Sequence, residues 1–324
     1  METMAAITNV RSKDFFFVAP GVWGIKDLFV NMYFVQDQTS DNWFLVDAGL
    51  KSSYTLIKKI SKLLFGSRDT PAGIILTHGH FDHNGALPAL LKDWKVPVYA
   101  HKLEEPYLTG KSSYPPPDPT VGGGLMAGMA CVYPKGPIDI TTALVTLETE
   151  GSIPGLAGWR YIHTPGHAPG HISLFREADR VLIAGDAFVT TKQESLLAVM
   201  TQRQILSGPP KYFTYDWQAA GASVRTLANL EPEIAATGHG RPMSGPLLRQ
   251  TLHRLVLNFS TEAVPAYGRY VTTPAKTNDQ GVEFIPPVTA REKWWKAAVT
   301  VGIITAAILL CNYRFLHPKE QNVV

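Results

Sequence analysis

The stretch "ILTHGHFDHNGALP", residues 75 to 88, sets the reading of the whole chain. A short apolar run reads as a buried strand. It delivers His78, His80, Asp82 and His83 into a turn that also contains Gly79. His78 and His80 are two apart, so in an extended or turning backbone their imidazoles can converge on one ion. Asp82 and His83 follow in the next turn and can face a second ion. Neutral imidazole and carboxylate are ligands of zinc and related divalent cations. A single histidine is usually a hydrogen-bonded core or surface residue. Four ligand-type side chains within six positions are not explained that way.

Three later stretches follow the same logic. "HTPGHAPGH" places His167 after a Pro-Gly turn, "VLIAGDAF" places Asp186 directly after a strand and a glycine, and "AATGHGRP" places His239 between two glycines. A ligand at a strand end is held by the sheet, and an adjacent glycine lets backbone approach the ion. Other histidines lack such a setting. His171 reads as structural, His163 and His101 lie at strand ends without a matching motif, and His253 falls on an expected helix. The glycines at 122 to 124 are not a phosphate loop, because no Lys-Ser/Thr follows them.

Around these motifs the chain alternates strands and helices. "FFFVAPGVWGI", "NMYFVQD" and "NWFLVDAG" read as strands, "YTLIKKISKLLFG" as an amphipathic helix, and "VPVYAH" as another strand. Strand-like runs return at "ALVTL", "WRYIHT", "ISLFR" and "RVLIAGD", and helical patterns cover 218–230 and 246–259. This pattern implies helices and sheets layered around a core. Residues 104–137 carry a proline run and three consecutive glycines and read as a long loop, either a lid or a surface excursion. That loop and the aromatics Tyr212, Phe213, Tyr215 and Trp217 are candidates for an apolar pocket.

The 324 residues are 45% hydrophobic and 18% charged, as expected of a packed globular protein. A net charge of +3 without a basic cluster in the first 290 residues argues against a nucleic-acid partner. Two distant cysteines, Cys131 and Cys311, do not make a disulfide framework, which points to a reducing compartment. The uncharged run from Ala297 to Cys311, flanked by Trp294, Trp295 and Lys296 and by Tyr313 and Arg314, reads as a single membrane-spanning helix over 294–315. The expectation is a protein anchored in a membrane through its C-terminus, with the catalytic domain on the cytoplasmic side and a polar tail at 316–324.

The chain resembles the metallo-beta-lactamase superfamily. The superfamily signature HxHxDH stands here as His78-Gly79-His80-Phe81-Asp82-His83, and all five expected segments occur in order between about residues 15 and 260. The resemblance implies an α/β fold, an αβ/βα sandwich of two packed mixed sheets flanked by helices, forming a catalytic domain over 1–260. A flap or linker over 261–293 and the C-terminal hydrophobic helix would follow. It implies that His78, His80 and His167 hold one metal, that Asp82, His83 and His239 hold a second, and that Asp186 bridges them. Asp47 matches the first motif, a position that supports the site. The implied cofactors are two divalent ions, zinc foremost, with manganese or iron as alternatives.

Fold alone does not choose the chemistry. Lactamases of this family commonly replace the bridging aspartate, and flavodiiron-type members usually carry glutamate where His80 stands. Nucleic-acid-processing members tend to carry an inserted domain or arm, for which the interval from Asp186 to His239 is too short. The remaining likeness is to glyoxalase II-like and lactonase-like hydrolases. In these a metal-bridging hydroxide attacks an ester, thioester or lactone carbonyl of a small acyl substrate, and Asp82 would act as the catalytic proton carrier. A mononuclear-iron persulfide dioxygenase, a phosphodiesterase and a non-catalytic membrane-tethered binding module are the alternatives. The sequence carries no signal of oligomeric state.

Overall fold

The central strands, Val30–Gln36, Trp43–Val46, Gly73–Ile75, Ile172–Arg176 and Val181–Gly185, have almost no polar face, because each is covered on both sides. The structure, a computed structural model, describes residues 15–148, 150–295 and 297–298. Its first sheet runs in the order β1 (Phe16–Ala19), β2 (Val22–Asp27), β3 (Val30–Gln36), β4 (Trp43–Val46), β5 (Gly73–Ile75), β6 (Val98–His101) and β7 (Leu144–Leu147). The second holds β8 (Glu150–Ile153), β9 (Leu156–His163), β10 (Ile172–Arg176), β11 (Val181–Gly185), β12 (Ile234–Thr237) and β13 (Met243–Ser244), each beside the next. A separate hairpin pairs β14 (Lys276–Asn278) with β15 (Gly281–Phe284). The long helices are α1 (Ser53–Phe65), α3 (Leu87–Trp94), α4 (Trp217–Asn229) and α5 (Gly245–Leu257), and a one-turn helix α2 (Phe81–Asn84) precedes α3.

Period-two alternation sorts each strand between two cores. On β3, Met32 and Phe34 pack with Ile57 and Ile60 of α1 and Leu90 of α3, while Tyr33 and Val35 face the other sheet. On β11, Val181 and Ile183 join that inter-sheet core, whereas Leu182 and Ala184 pack against Val224 and Leu227 of α4 and Leu252 of α5. The layers are therefore helix, sheet, sheet, helix, the αβ/βα arrangement expected.

Both sheets are mixed, and their parallel pairs bear on function. β4, β5, β6 and β7 are parallel neighbours, as are β11 and β12. Parallel strands end on the same side, so Asp47 after β4 and His78 after β5 emerge together. Asp186 after β11 and His239 after β12 do likewise.

Two irregular segments are packed closely. Residues 104–137 have little regular structure, as expected, but Tyr107, Tyr114, Val121, Ala127 and Ala130 within them are buried. Residues 261–286, within the segment read as a flap or linker, belong to the same compact unit as the strands, and the chain divides into units at Pro286/Pro287. The reason is polar as well as apolar. The Arg269 amide donates to Asp118 Oδ2 at 2.7 Å, the Tyr270 hydroxyl to the Pro116 carbonyl at 2.6 Å, and the Val282 amide to Ser112 Oγ at 3.2 Å. In the second unit, residues 290–295 are helical. Nearly all of the expected membrane helix over 294–315 lies outside the described residues. Among the described residues no helix is long and apolar enough to cross a membrane.

Phe44 is 1% exposed in the inter-sheet core. Phe44→Ala should cost about 3–5 kcal/mol of unfolding free energy in denaturant titration while leaving metal content unchanged. A loss below about 1 kcal/mol would contradict the close packing of the two sheets.

Candidate metal centre

The geometry is built outward from the ends of β4 and β5. Asp47 adopts φ 61°, a left-handed conformation that aspartate tolerates better than most side chains. This turns its carboxylate back onto the next strand. Asp47 Oδ1 accepts from the Thr77 amide at 2.8 Å, and Oδ2 accepts from His83 Nδ1 at 2.8 Å and from the Thr77 hydroxyl at 2.9 Å. A carboxylate only accepts, so His83 carries a proton on Nδ1 and turns Nε2 toward the centre. The Thr77 hydroxyl, having donated to Asp47, accepts from His78 Nδ1 at 3.0 Å, which leaves His78 Nε2 free. His239 Nδ1 donates to the Phe29 carbonyl at 2.7 Å, which turns its Nε2 toward the centre.

The inward-turned atoms meet. Ligand atoms of His78, His80 and His167 lie within 4.8 Å of one another, as do those of His78, His83 and Asp186, and those of Asp82, His83 and His239. His80 Nδ1 and His167 Nε2 are 3.1 Å apart. Asp186 Oδ2 lies 3.0 Å from Nε2 of His239, 3.5 Å from that of His167 and 3.7 Å from that of His83. Asp82 Oδ2 lies 3.6 Å from His239 Nε2. All seven side chains are buried, Asp82 being the most exposed at 7%. His78 Nε2, His83 Nε2 and Asp186 Oδ1 are fully buried without a hydrogen-bond partner. Buried polar atoms are normally satisfied, so imidazole lone pairs left bare around a carboxylate fit a divalent cation.

The electrostatics divide the five histidines. Burial lowers all of them, but Asp47 and Asp186 outweigh it at His83, and Asp186 and Asp82 outweigh it at His239, so these two are raised. Burial, reinforced by neighbouring histidines, holds His78 and His80 well below the usual imidazole range, and burial pushes His167 down to about 3. These rings stay neutral, the form that ligates. Burial alone would raise Asp186, but His239 and His83 outweigh it and keep this carboxylate well below its usual range. For Asp82 burial wins and raises the carboxyl.

Several supports were not visible in the sequence. His171, read there as structural, accepts from the Asp186 amide at 2.9 Å through Nε2 while its Nδ1 donates to the Thr164 hydroxyl at 2.8 Å. Asn31 holds the His239 loop: its Nδ2 donates to the carbonyls of Thr237 at 2.8 Å and Gly240 at 2.6 Å. A polar residue in the apolar run of β3 was the one available signal. Glu104, completely buried, accepts from Gly79 and Gly170 and from the Tyr114 hydroxyl. Burial pushes its carboxyl up, and those three donors oppose the shift. The sequence offered no signal for it.

An aromatic wall covers the His80 side. The His80 ring centroid lies 4.5 Å from that of Tyr114, 4.6 Å from Phe213 and 6.0 Å from Tyr215. Tyr212 and Tyr133 extend the cluster. Trp217, grouped with these aromatics in the sequence reading, packs instead beneath α4 near Phe259, because the helix it opens turns it into the helix-side core. His101 and His163 stack on each other at 4.0 Å, and His253 pairs with Glu231 at the surface.

Comparison with known proteins fits this geometry. The family model described as the metallo-beta-lactamase superfamily matches residues 25–239. The "Probable metallo-hydrolase YflN" of Bacillus subtilis (strain 168) is 46% identical over 256 residues, covering 79% of this chain and 97% of that protein. The "Probable metallo-hydrolase YybB" of the same organism is 28% identical over 211 residues, covering 65% of this chain and 80% of the relative. A solved "Beta-lactamase from Chitinophaga pinensis" shares the fold, with a TM-score of 0.50 and 19% identity over 77% of this chain and 92% of that one. The chain belongs to the metallo-beta-lactamase superfamily.

Proposed function

We propose that this chain is a metal-dependent hydrolase that cleaves an ester, thioester or lactone bond. His78, His80 and His167 would hold one divalent ion, Asp82, His83 and His239 a second, and Asp186 would sit between them. The observation that carries this reading is Asp186 Oδ2, which lies between 3.0 and 3.7 Å from imidazole nitrogens of three histidines drawn from separate loops. Relatives named as probable metallo-hydrolases support hydrolysis.

When bound, two such ions bring the pKa of water toward neutrality and polarise a carbonyl oxygen. The protein's own groups do the rest. Asp82, the ligand nearest solvent and the one whose carboxyl burial raises, is suited to carry a proton to the leaving group. Tyr114, Phe213 and Tyr215 form an aromatic wall that shields the His80 side from water, and an acyl chain would lie along it.

Full-length protein supplied with zinc or manganese should turn over one acyl class in a panel of lactones, thioesters, aryl esters and phosphodiesters. The rate should exceed that of His78→Ala on the order of a hundredfold, a loss that even supporting residues of metal sites can reach. Turnover confined to phosphodiesters, or oxygen uptake with a persulfide, would overturn the acyl assignment.

Asp82→Asn should lower kcat by about a hundredfold, a common scale for a lost proton carrier. Full turnover at full metal loading would remove Asp82 from that role.

Gly238 also limits the site: a Cβ there would lie 2.1 Å from Asp186 Oδ1 and 2.9 Å from His83 Cε1. Gly238→Ala should reduce the metal bound per chain, read by elemental analysis, in a protein that still folds. Undiminished metal would show that Asp186 need not hold its place.

A further inference from the structure

Glu104 follows β6 and makes no contact with solvent. Its Oε1 accepts from the Gly170 amide at 2.7 Å. Its Oε2 accepts from the Gly79 amide at 2.8 Å and from the Tyr114 hydroxyl, which itself accepts from Gly79 at 2.9 Å. Gly79 lies between His78 and His80, and Gly170 lies three residues after His167. Every partner is a donor, which suits an acceptor-only carboxylate. Both amides approach too closely for a side chain. A Cβ on Gly170 would stand 2.8 Å from Glu104 Cγ, and one on Gly79 would stand 2.7 Å from the Tyr114 hydroxyl.

We propose that Glu104 is a positioning residue for the first metal subsite. One buried carboxylate ties the loop bearing His78 and His80 to the loop bearing His167, and so sets the separation of their imidazoles. Through Tyr114, whose ring borders His80 at 4.5 Å, it couples the segment after β6 to the same loop. This inference rests on the reading of His78, His80 and His167 as ligands.

Glu104→Gln tests it, because either orientation of the amide sets an NH2 group against a backbone N–H. Two measurements on the full chain suffice: hydrogen exchange of metal-free protein over residues 77–83 and 164–171, and Co(II) affinity and visible spectrum by chelator competition. Glu104→Gln should exchange faster in both segments together, bind Co(II) roughly ten- to a hundredfold more weakly and show an altered spectrum. Tyr114→Phe should loosen 77–83 but not 164–171. Affinity within twofold of wild type with an unchanged spectrum, or loosening of one segment alone, would overturn the role. Should Glu104→Gln fail to fold, unchanged exchange and spectrum in Tyr114→Phe would overturn it, and the expected one-sided loosening would support it. His78→Ala separates the two readings. If His78→Ala binds Co(II) as wild type does, the ligand assignment fails and this inference with it. If His78→Ala loses Co(II) while Glu104→Gln keeps it, only the positioning role fails.

Discussion

A carboxylate 2% exposed, set among imidazole nitrogens, is the constraint around which the rest of the molecule is arranged. Removing a charge from water costs several kcal/mol unless opposing charge and hydrogen bonds compensate. For Asp186 the compensation comes from His239 and His83, which arrive from different loops. Its backbone is fixed as firmly as its side chain. Gly185 adopts φ 53° directly before it, and His171 accepts its amide. Gly238 leaves the space that Asp186 Oδ1 occupies. Such a carboxylate can be held only where two sheets bring their strand ends together, which is why the sandwich and the centre are one problem.

The same logic selects imidazole tautomers. Asp47, the Thr77 hydroxyl and the Phe29 carbonyl each engage a Nδ1 atom, turning the Nε2 atoms of His83, His78 and His239 inward. Among the buried polar atoms left without a partner, His78 Nε2, His80 Nε2, His83 Nε2, His167 Nδ1 and Asp186 Oδ1 belong to the candidate ligands of this centre. Burial keeps the rings of His78, His80 and His167 neutral, whereas at His83 and His239 the surrounding carboxylates outweigh burial and raise the imidazole. Stability and function pull in opposite directions here: the fold keeps buried, unsatisfied atoms that a ligand would satisfy.

The aromatic wall links that centre to the irregular parts of the chain. Tyr107, Tyr114 and Val121 from the segment after β6 pack with Tyr212, Phe213 and Tyr215, and Tyr270 closes the cluster from beyond α5. The hairpin β14–β15 is fastened to this segment by Ser112. Segments with few regular hydrogen bonds thus gain order by burying rings beside the metal ligands. This also makes the surroundings of the centre more variable in principle than the centre itself.

What the sequence determined by itself was the layered fold and the short-range chemistry. Strands buried on both faces appear as apolar runs, α1 appears as a periodic helix ending at Gly66, and four ligand-type residues stand together because one turn follows β5. Hydrophobic period and local spacing are properties of neighbouring residues, so they survive in one dimension. Placing His167, Asp186 and His239 beside that turn already required the family resemblance, since their spacing says nothing of distance. Only the tertiary structure showed Glu104 joining Gly79 to Gly170, Asn31 holding the His239 loop and Trp217 turned away from its aromatic neighbours. It also showed residues 261–286 in the same compact unit as the strands. Those facts depend on contacts between residues far apart in the chain. Hydrogen-bond partnership and packing direction are fixed by the approach of separate elements, which no local pattern encodes.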